Sequence, residues 1–424
     1  YFPTTGEEYV ASGLGTCSYY DDRAGNHIGD NVCEGPNGEP GPRGAATAES
    51  LARQQAKIVR AINGLGASVV SLEELENSTW FGKDRDYAIG KLVAALNDAA
   101  GAGTWAYAPS PAAADLPPLD EQDVIRTGFI YKPADIALVG TSHVLADQSG
   151  EGGAFAEARE PLAQAFQARS GGDPFLVVVN HFKSKGSGDD DGTGQGLSNQ
   201  ARVAQAHALL TFASAQEAAA GTDKVFFTGD FNAYSKEDPV QVIEDAGFHE
   251  LNGELNGGEA TYSFDGMEGS LDHVFANSAA RAWVSGVDVW QINAQEQVGF
   301  EYSRYNYNAT ILYGDDVFRA SDHNPEIVGL APTTTPEVSA KDVSAKYGKP
   351  LNVQVKVRSD AGDPRGRVEI RSGSTVVGSG ELNPGGVAHI DVTGFPVGTH
   401  TLTAVYTGEG TFGPASTTFT ATVR

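Results

Sequence analysis

Val225-Phe226-Phe227-Thr228-Gly229-Asp230-Phe231-Asn232-Ala233 is an apolar run that stops at a glycine and then offers two polar side chains. The run reads as a buried strand. Residues two apart at a strand end point the same way. Asp230 and Asn232 therefore arrive together at the mouth of a sheet. A carboxylate there can hold a metal or take a proton from water, and an amide can donate to a phosphate oxygen. The alternative is a strand ending in a polar turn, with Asp and Asn present for turn chemistry.

Four other strand ends carry similar groups. Glu74 follows Val69–Leu72, and Asn180 and His181 follow Phe175–Val179. Asp272 and His273 follow Leu271, and Asp322, His323 and Asn324 follow Arg319-Ala320-Ser321. Each is weak alone, since a single polar residue at a strand end is often a cap. Five such ends with Glu, Asp, Asn and His, and no serine nucleophile motif, favour a metal-assisted hydrolase.

Between these ends the pattern alternates. Helices are expected over 46–64, 86–101, 200–220 and 239–247, and strands over 67–72, 124–131, 136–144, 174–180, 261–264, 272–275, 284–291 and 326–330. Strands alternating with helices indicate an α/β domain. Residues 1–45, rich in Gly, Asn, Asp and Pro, read as irregular. Cys17 and Cys33, the only cysteines, lie in that stretch. A disulfide closing a surface loop is the favoured reading and implies an oxidising compartment; two free thiols are the other. Residues 332–338 read as a linker. Beyond it, short alternating strands such as Leu351-Asn352-Val353-Gln354-Val355-Lys356-Val357 indicate an all-β immunoglobulin-like sandwich over 339–424.

Charge is uneven. Residues 1–332 hold 20 Lys+Arg against 47 Asp+Glu, whereas the remainder is near neutral. So acidic a surface argues against simple electrostatic binding of nucleic acid, and a polyanionic substrate would need mediating cations or a local basic strip. Lys183, Lys185 and Arg202 are candidates for that strip. Asp189, Asp190 and Asp191 have the composition of a calcium loop but not EF-hand spacing, and read as a solvated acidic loop. No apolar run approaches the roughly 20 residues of a membrane span.

The order Leu72-Glu73-Glu74-Leu75-Glu76-Asn77, Asn180-His181-Phe182-Lys183-Ser184-Lys185, Gly229-Asp230-Phe231-Asn232-Ala233, Leu271-Asp272-His273 and Ser321-Asp322-His323-Asn324-Pro325 resembles the endonuclease/exonuclease/phosphatase superfamily, the group of DNase I. Within it the chain is most similar to secreted bacterial extracellular nucleases. The resemblance implies a DNase I-like four-layer sandwich over 1–331, two mixed sheets flanked by helices. It also implies roles: Glu74 as main metal ligand with Asp230 or Asp322; Asp230 orienting or deprotonating the attacking water; and Asn232 bonding the phosphate. His323 would be a catalytic imidazole polarised by Asp272, and His181 would meet the scissile phosphate or protonate the leaving oxygen. Asn180 would bind substrate. Arg126 would contact a phosphate or form an ordinary salt bridge. The cofactor would be Mg²⁺ or Mn²⁺, with Ca²⁺ a further candidate.

The family opens on a strand of the form Phe-Asn-Val-Leu-Asn, whereas this chain opens at Tyr1-Phe2-Pro3, like the residues just after it. A longer native protein is therefore expected. The expected activity is hydrolysis of extracellular DNA, with RNA the other nucleic-acid candidate, by a monomeric, secreted or cell-surface protein. Its tail would bind a cell-surface or polysaccharide partner. Competing readings are a phosphatase or phospholipase of the same superfamily, for which the aromatic stretch Phe300–Tyr313 is relevant, and an inactive adhesion protein.

Overall fold

Six strands form the sheet that carries the site. A computed structural model describes all residues, Tyr1–Arg424. The chain divides into two compact units, residues 1–166 with 174–330, and 167–173 with 331–424. In the first, the strands run in the order Phe248–Glu250, Asp272–Asn277, Val225–Asp230, Phe175–His181, Leu162–Ala168, Ile136–Val144. The central pair, Phe175–His181 with Val225–Asp230, is parallel. Both open on unbroken apolar runs, Phe175–Val179 and Val225–Phe227, as strands covered on two faces do. On one face Leu176, Val178, Phe227 and Phe275 pack beneath the helices Asn199–Ala220 and Asp238–Asp245 through Leu209, Phe212, Val240 and Ile243.

A second sheet, Val69–Glu76, Ile125–Tyr131 and Ala106–Tyr107, is covered by the helices Ala48–Gly64 and Tyr87–Ala100. Between the sheets aromatic rings interlock. Phe129 meets Phe166 at 5.4 Å and Phe175 meets Phe226 at 6.1 Å, both edge to face. The result is four layers, helix–sheet–sheet–helix.

Two segments differ from the sequence reading. Leu162–Ala168, Leu-Ala-Gln-Ala-Phe-Gln-Ala, is a central strand although its alanines and glutamines favour helix. Pairing with Phe175–His181 and burial of Phe166 override that weak preference. Residues 1–45 are not a plain loop. They form the helix Gly6–Ala11 and the antiparallel strands Thr16–Asp21 and His27–Glu34. Their side chains are mostly exposed on both faces, so no apolar alternation marks them. Cys17 and Cys33 are disulfide-bonded and stand directly opposite each other in that ladder. The bond staples paired strands rather than closing a free loop. Closing 16 residues of chain restricts the unfolded state by about 3 kcal/mol. The double variant Cys17→Ser/Cys33→Ser is expected to lower the stability of the first unit by about that amount, read as a shifted urea midpoint.

The second unit is a sandwich of a three-stranded sheet, Glu337–Ala340, Leu351–Arg358 and Val387–Val392, and a five-stranded one. Strand Leu351–Arg358 alternates buried and exposed residues as its sequence requires. Tyr406 lies fully buried in the core, and its hydroxyl donates to Arg365 O at 2.6 Å. No helix of the chain is long and apolar enough to cross a membrane.

Candidate active site

The strand Val225–Asp230 ends as its sequence implies. Gly229 adopts φ 122°, and a Cβ there would stand 2.1 Å from Asn180 O and 2.8 Å from Glu73 Oε1. Only glycine fits between these neighbours. It lets the next residue, Asp230, sit between the two sheets' polar ends. Asp230 faces Asp272 across the antiparallel ladder and His181 across the parallel one. Register alone thus brings three of the expected residues together.

Asp230 is held tightly. Its carboxylate accepts the Asn232 backbone N–H at 2.7 Å and the Asn232 side-chain amide at 2.9 Å. That amide also donates to Phe182 O at 3.1 Å. Asn232, in a left-handed conformation at φ 47°, therefore positions Asp230 and has spent its donors. Burial pushes the Asp230 carboxyl up to about 7, opposed by His323 and reinforced by Asp272. His181 Nε2 stands 3.5 Å from Asp230. Its own value falls well below that of a free imidazole because it is buried and lies near the Arg159 cation.

Asp272 and His323 form a dyad, Nδ1 to Oδ2 at 2.7 Å. Thr261 donates to the same carboxylate oxygen at 2.6 Å. Tyr262 stacks on the imidazole, ring centroids 4.6 Å apart. Burial alone would lower His323, but Asp272 outweighs it, with help from Asp230 and Asp322, so His323 is held well above its ordinary value. Asp272 is correspondingly low: its desolvation is overcome by His323. With Nδ1 committed to Asp272, Nε2 is the nitrogen left for chemistry.

Two carboxylates, not one, mark the end of strand Val69–Glu76. A register shift between Leu72 and Leu75 bulges the chain. Glu74 adopts φ 53° and is exposed. Glu73 lies over Gly229 with Oε1 buried and unpartnered. Burial and the nearby Asp272 and Asp230 push Glu73 up to about 8. Asn180 Oδ1 and His181 Nδ1 are also buried without partners. Clustered carboxylates and orphaned lone pairs fit a hard cation. Glu73 and Asp230 are the buried carboxylates that face one another there, with Glu74 exposed at the bulge beside them; their oxygens do not close into a three-ligand cluster in this structure. Asp322 is exposed beside His323.

Several of the expected substrate contacts, Asn232 among them, are engaged within the fold. Arg126 is 5% exposed, with its guanidinium donating to Asp86, Arg85 O and Thr127 O. Of its two expected roles, phosphate contact and salt bridge, the salt bridge is the one formed, with Asp86 at the N-cap of the helix Tyr87–Ala100. Asn180 is fully buried and donates to Val178 O and Thr228 O within the sheet. The basic strip is not free either. Arg202 is fully buried and ties Leu197 O and Gln195 O, while Lys185 pairs with Glu237 and Lys183 with Glu157. The acidic loop is likewise a turn device: Asp191 accepts from Thr193, Asn199 and Gln200.

One residue escaped the sequence reading. Arg159 is 7% exposed, donates to Phe182 O at 3.2 Å and stands 3.6 Å from Asp123. It shares that carbonyl with Asn232, which places a cation beside Asp230 and His181. The sequence signal is an arginine three residues before the strand Leu162–Ala168, whose alanines and glutamines hide the strand end.

The sequence profile of the Endonuclease/Exonuclease/phosphatase family matches residues 31–323, and that of the bacterial Ig-like domain (group 3) matches 338–424. Similar solved structures include a mannosyl-6-phosphatase of Bacteroides thetaiotaomicron VPI-5482, 14% identical, covering 67% of this chain and 95% of that one at TM-score 0.43. Another is a functionally unknown conserved protein of Enterococcus faecalis V583, 15% identical, 66% and 91% covered, TM-score 0.43. A third is D. rerio TDP2 complexed with single strand DNA product, 14% identical, 66% and 92% covered, TM-score 0.40. No curated protein matches the chain in sequence. With a profile match over more than half its length, this chain belongs to the endonuclease/exonuclease/phosphatase family, a family of phosphate-ester hydrolases, and carries a bacterial Ig-like domain behind the catalytic unit.

Proposed function

We propose that the chain is a divalent-metal-dependent nuclease that hydrolyses phosphodiester bonds of DNA outside the cell. The observation that carries the reading is Asp230, fixed by Asn232 and flanked by His181 on one side and the Asp272–His323 dyad on the other. Enzymes of this family are typically divalent-metal dependent. A bound cation at Glu73, Glu74 and Asp230 would supply charge neutralisation at the phosphate and acidify a water. Asp230 is placed to orient an attacking water and take its proton. His323, held cationic by Asp272, meets charge developing on the phosphate, and Arg159 adds a second fixed cation. Neutral His181 bonds the phosphate or leaving oxygen. The Cys17–Cys33 bond supports an oxidising, extracellular setting.

A phospholipase reading has one observation in its favour. The hairpin Tyr262–Phe264/Met267–Gly269 begins at the His323-stacking Tyr262 and exposes Phe264 and Met267 at 57% and 71%. The two are separated by offering supercoiled plasmid, linear duplex, single-stranded RNA and sphingomyelin vesicles with Mg²⁺, Mn²⁺ or Ca²⁺, and again with EDTA. Cation-dependent nicking of plasmid abolished by EDTA is the expected result. Lipid turnover without any plasmid cutting would overturn it.

A further inference from the structure

A cleft of about 750 Å³ opens beside the strand end that follows Glu76, lined by Lys83, Arg85, Asp86, Ser110, Ala113 and Gln122 among others. Its volume is in the range of small-ligand sites. Its lining holds two cations, Lys83 and Arg85, and two carboxylates, Asp84 and Asp86, a nearer balance than in the unit as a whole. Arg85 makes no ion pair. Its Nη1 donates only to neutral amide oxygens, Gln122 Oε1 and Asn77 Oδ1, and its Nε is buried without a partner. The neighbouring carboxylate, Asp86, is committed to Arg126 at 3.1 Å. Lys83 is committed to Glu8 at 2.8 Å. Burial lowers the Arg85 guanidinium, with Glu160 and Asp86 opposing from a distance. A partly buried cation without an ion-pair partner is costly, and Arg85 lines the open cleft in a unit otherwise crowded with carboxylates.

We propose that this cleft is a second anion site, which takes a non-scissile phosphate of the substrate strand on the Arg85 guanidinium. The proposal rests on the nuclease reading for its ligand. The route between the two centres is short in bonds. Gln122, the Arg85 partner, precedes Asp123, which stands 3.6 Å from Arg159, and Arg159 shares Phe182 O with Asn232. Arg85 offers the fork of donors that suits a phosphate. Pro111, Pro117 and Pro118 stiffen the facing wall, so little chain is ordered on binding. Such a site answers the difficulty raised by 47 acidic residues: the strand is gripped by one partly buried cation rather than by a basic surface.

The test is calorimetric titration of inorganic tripolyphosphate into the full chain in EDTA, where no turnover occurs. The wild type and Asp230→Asn are expected to bind it alike, and Arg85→Gln at least tenfold more weakly. Ala113→Glu, which adds a carboxylate at an exposed rim position without removing a buried contact, is expected to weaken it similarly and stands in if Arg85→Gln does not fold. With Mg²⁺, kcat/KM on a trinucleotide should fall about tenfold more in these variants than kcat/KM on a single-phosphate diester. Binding that is absent in the wild type, or equal in wild type, Arg85→Gln and Ala113→Glu, overturns the site. Because binding is read without catalysis, failure of the nuclease reading shows instead as wild type that binds but does not cut.

Discussion

Asp230→Asn is expected to lower kcat for plasmid cutting by about 10²–10⁴-fold while leaving the fold intact. The magnitude is that of losing a positioned general base. The carboxamide is isosteric, so the packing of Phe231 and the paired strand should survive. It replaces one acceptor oxygen with a donor, however, opposite the Asn232 amide that donates to Asp230 at 2.9 Å. Two N–H groups then face each other, and the fixed orientation is lost along with the charge. The buried acid group, pushed up to about 7 when no cation is present, also makes cation affinity depend on pH. Affinity should rise as pH passes upward through that value, since the ionised form binds. Stopped turnover with wild-type circular dichroism and weakened Mn²⁺ binding would agree with this. Unchanged turnover would remove Asp230 from the chemistry.

Asp272→Asn should have a comparable effect on kcat, about 10²–10⁴-fold, and a distinct signature in stability. The carboxylate sets the His323 tautomer through Nδ1 and holds the ring cationic. The amide can do neither. The sign of the pH effect follows from the two directions. His323 is raised in the fold, so its stabilisation is fully present below the ordinary imidazole pKa of about 6.5 and lost as pH rises through the folded value. Asp272 is lowered, so its stabilisation is present above the ordinary carboxyl pKa of about 3.9 and lost as pH falls through the folded value. Wild type should therefore exceed the variant in urea midpoint most clearly between about pH 4 and 6.5, with the gap closing at alkaline pH. A constant gap at every pH would mean that Asp272 acts through packing or Thr261 instead.

Much of the arrangement is legible in the sequence. The apolar runs of Val225–Asp230 and Phe175–His181 name buried strands because only strands covered on both faces are so uniformly apolar. Their polar ends, with Asp272 and His323, carry the family order, and register did the rest: Asp230 opposite Asp272 and beside His181. The alternation after residue 338 likewise dictates a sandwich, since period-two burial is local.

What the sequence left open depends on neighbours distant in the chain. Arg126 and Arg159 are both arginines near strand ends, and nothing local separates them. Asp86, the N-cap of the helix Tyr87–Ala100, captures the first, while Phe182 O and Asp123 draw the second toward Asp230. Glu73 and Glu74 are adjacent carboxylates, and a bulge sends one under Gly229 and the other to solvent. Asn232 and Arg202 look like ligand-binding groups until their donors are found spent on Asp230 and on loop carbonyls. Periodicity and strand-end chemistry are properties of a segment, so the sequence by itself determined the strands, the residue types at their ends and the domain order. Which donors are spent and which charges stay unpaired is set by packing between segments, and only the tertiary structure decided it.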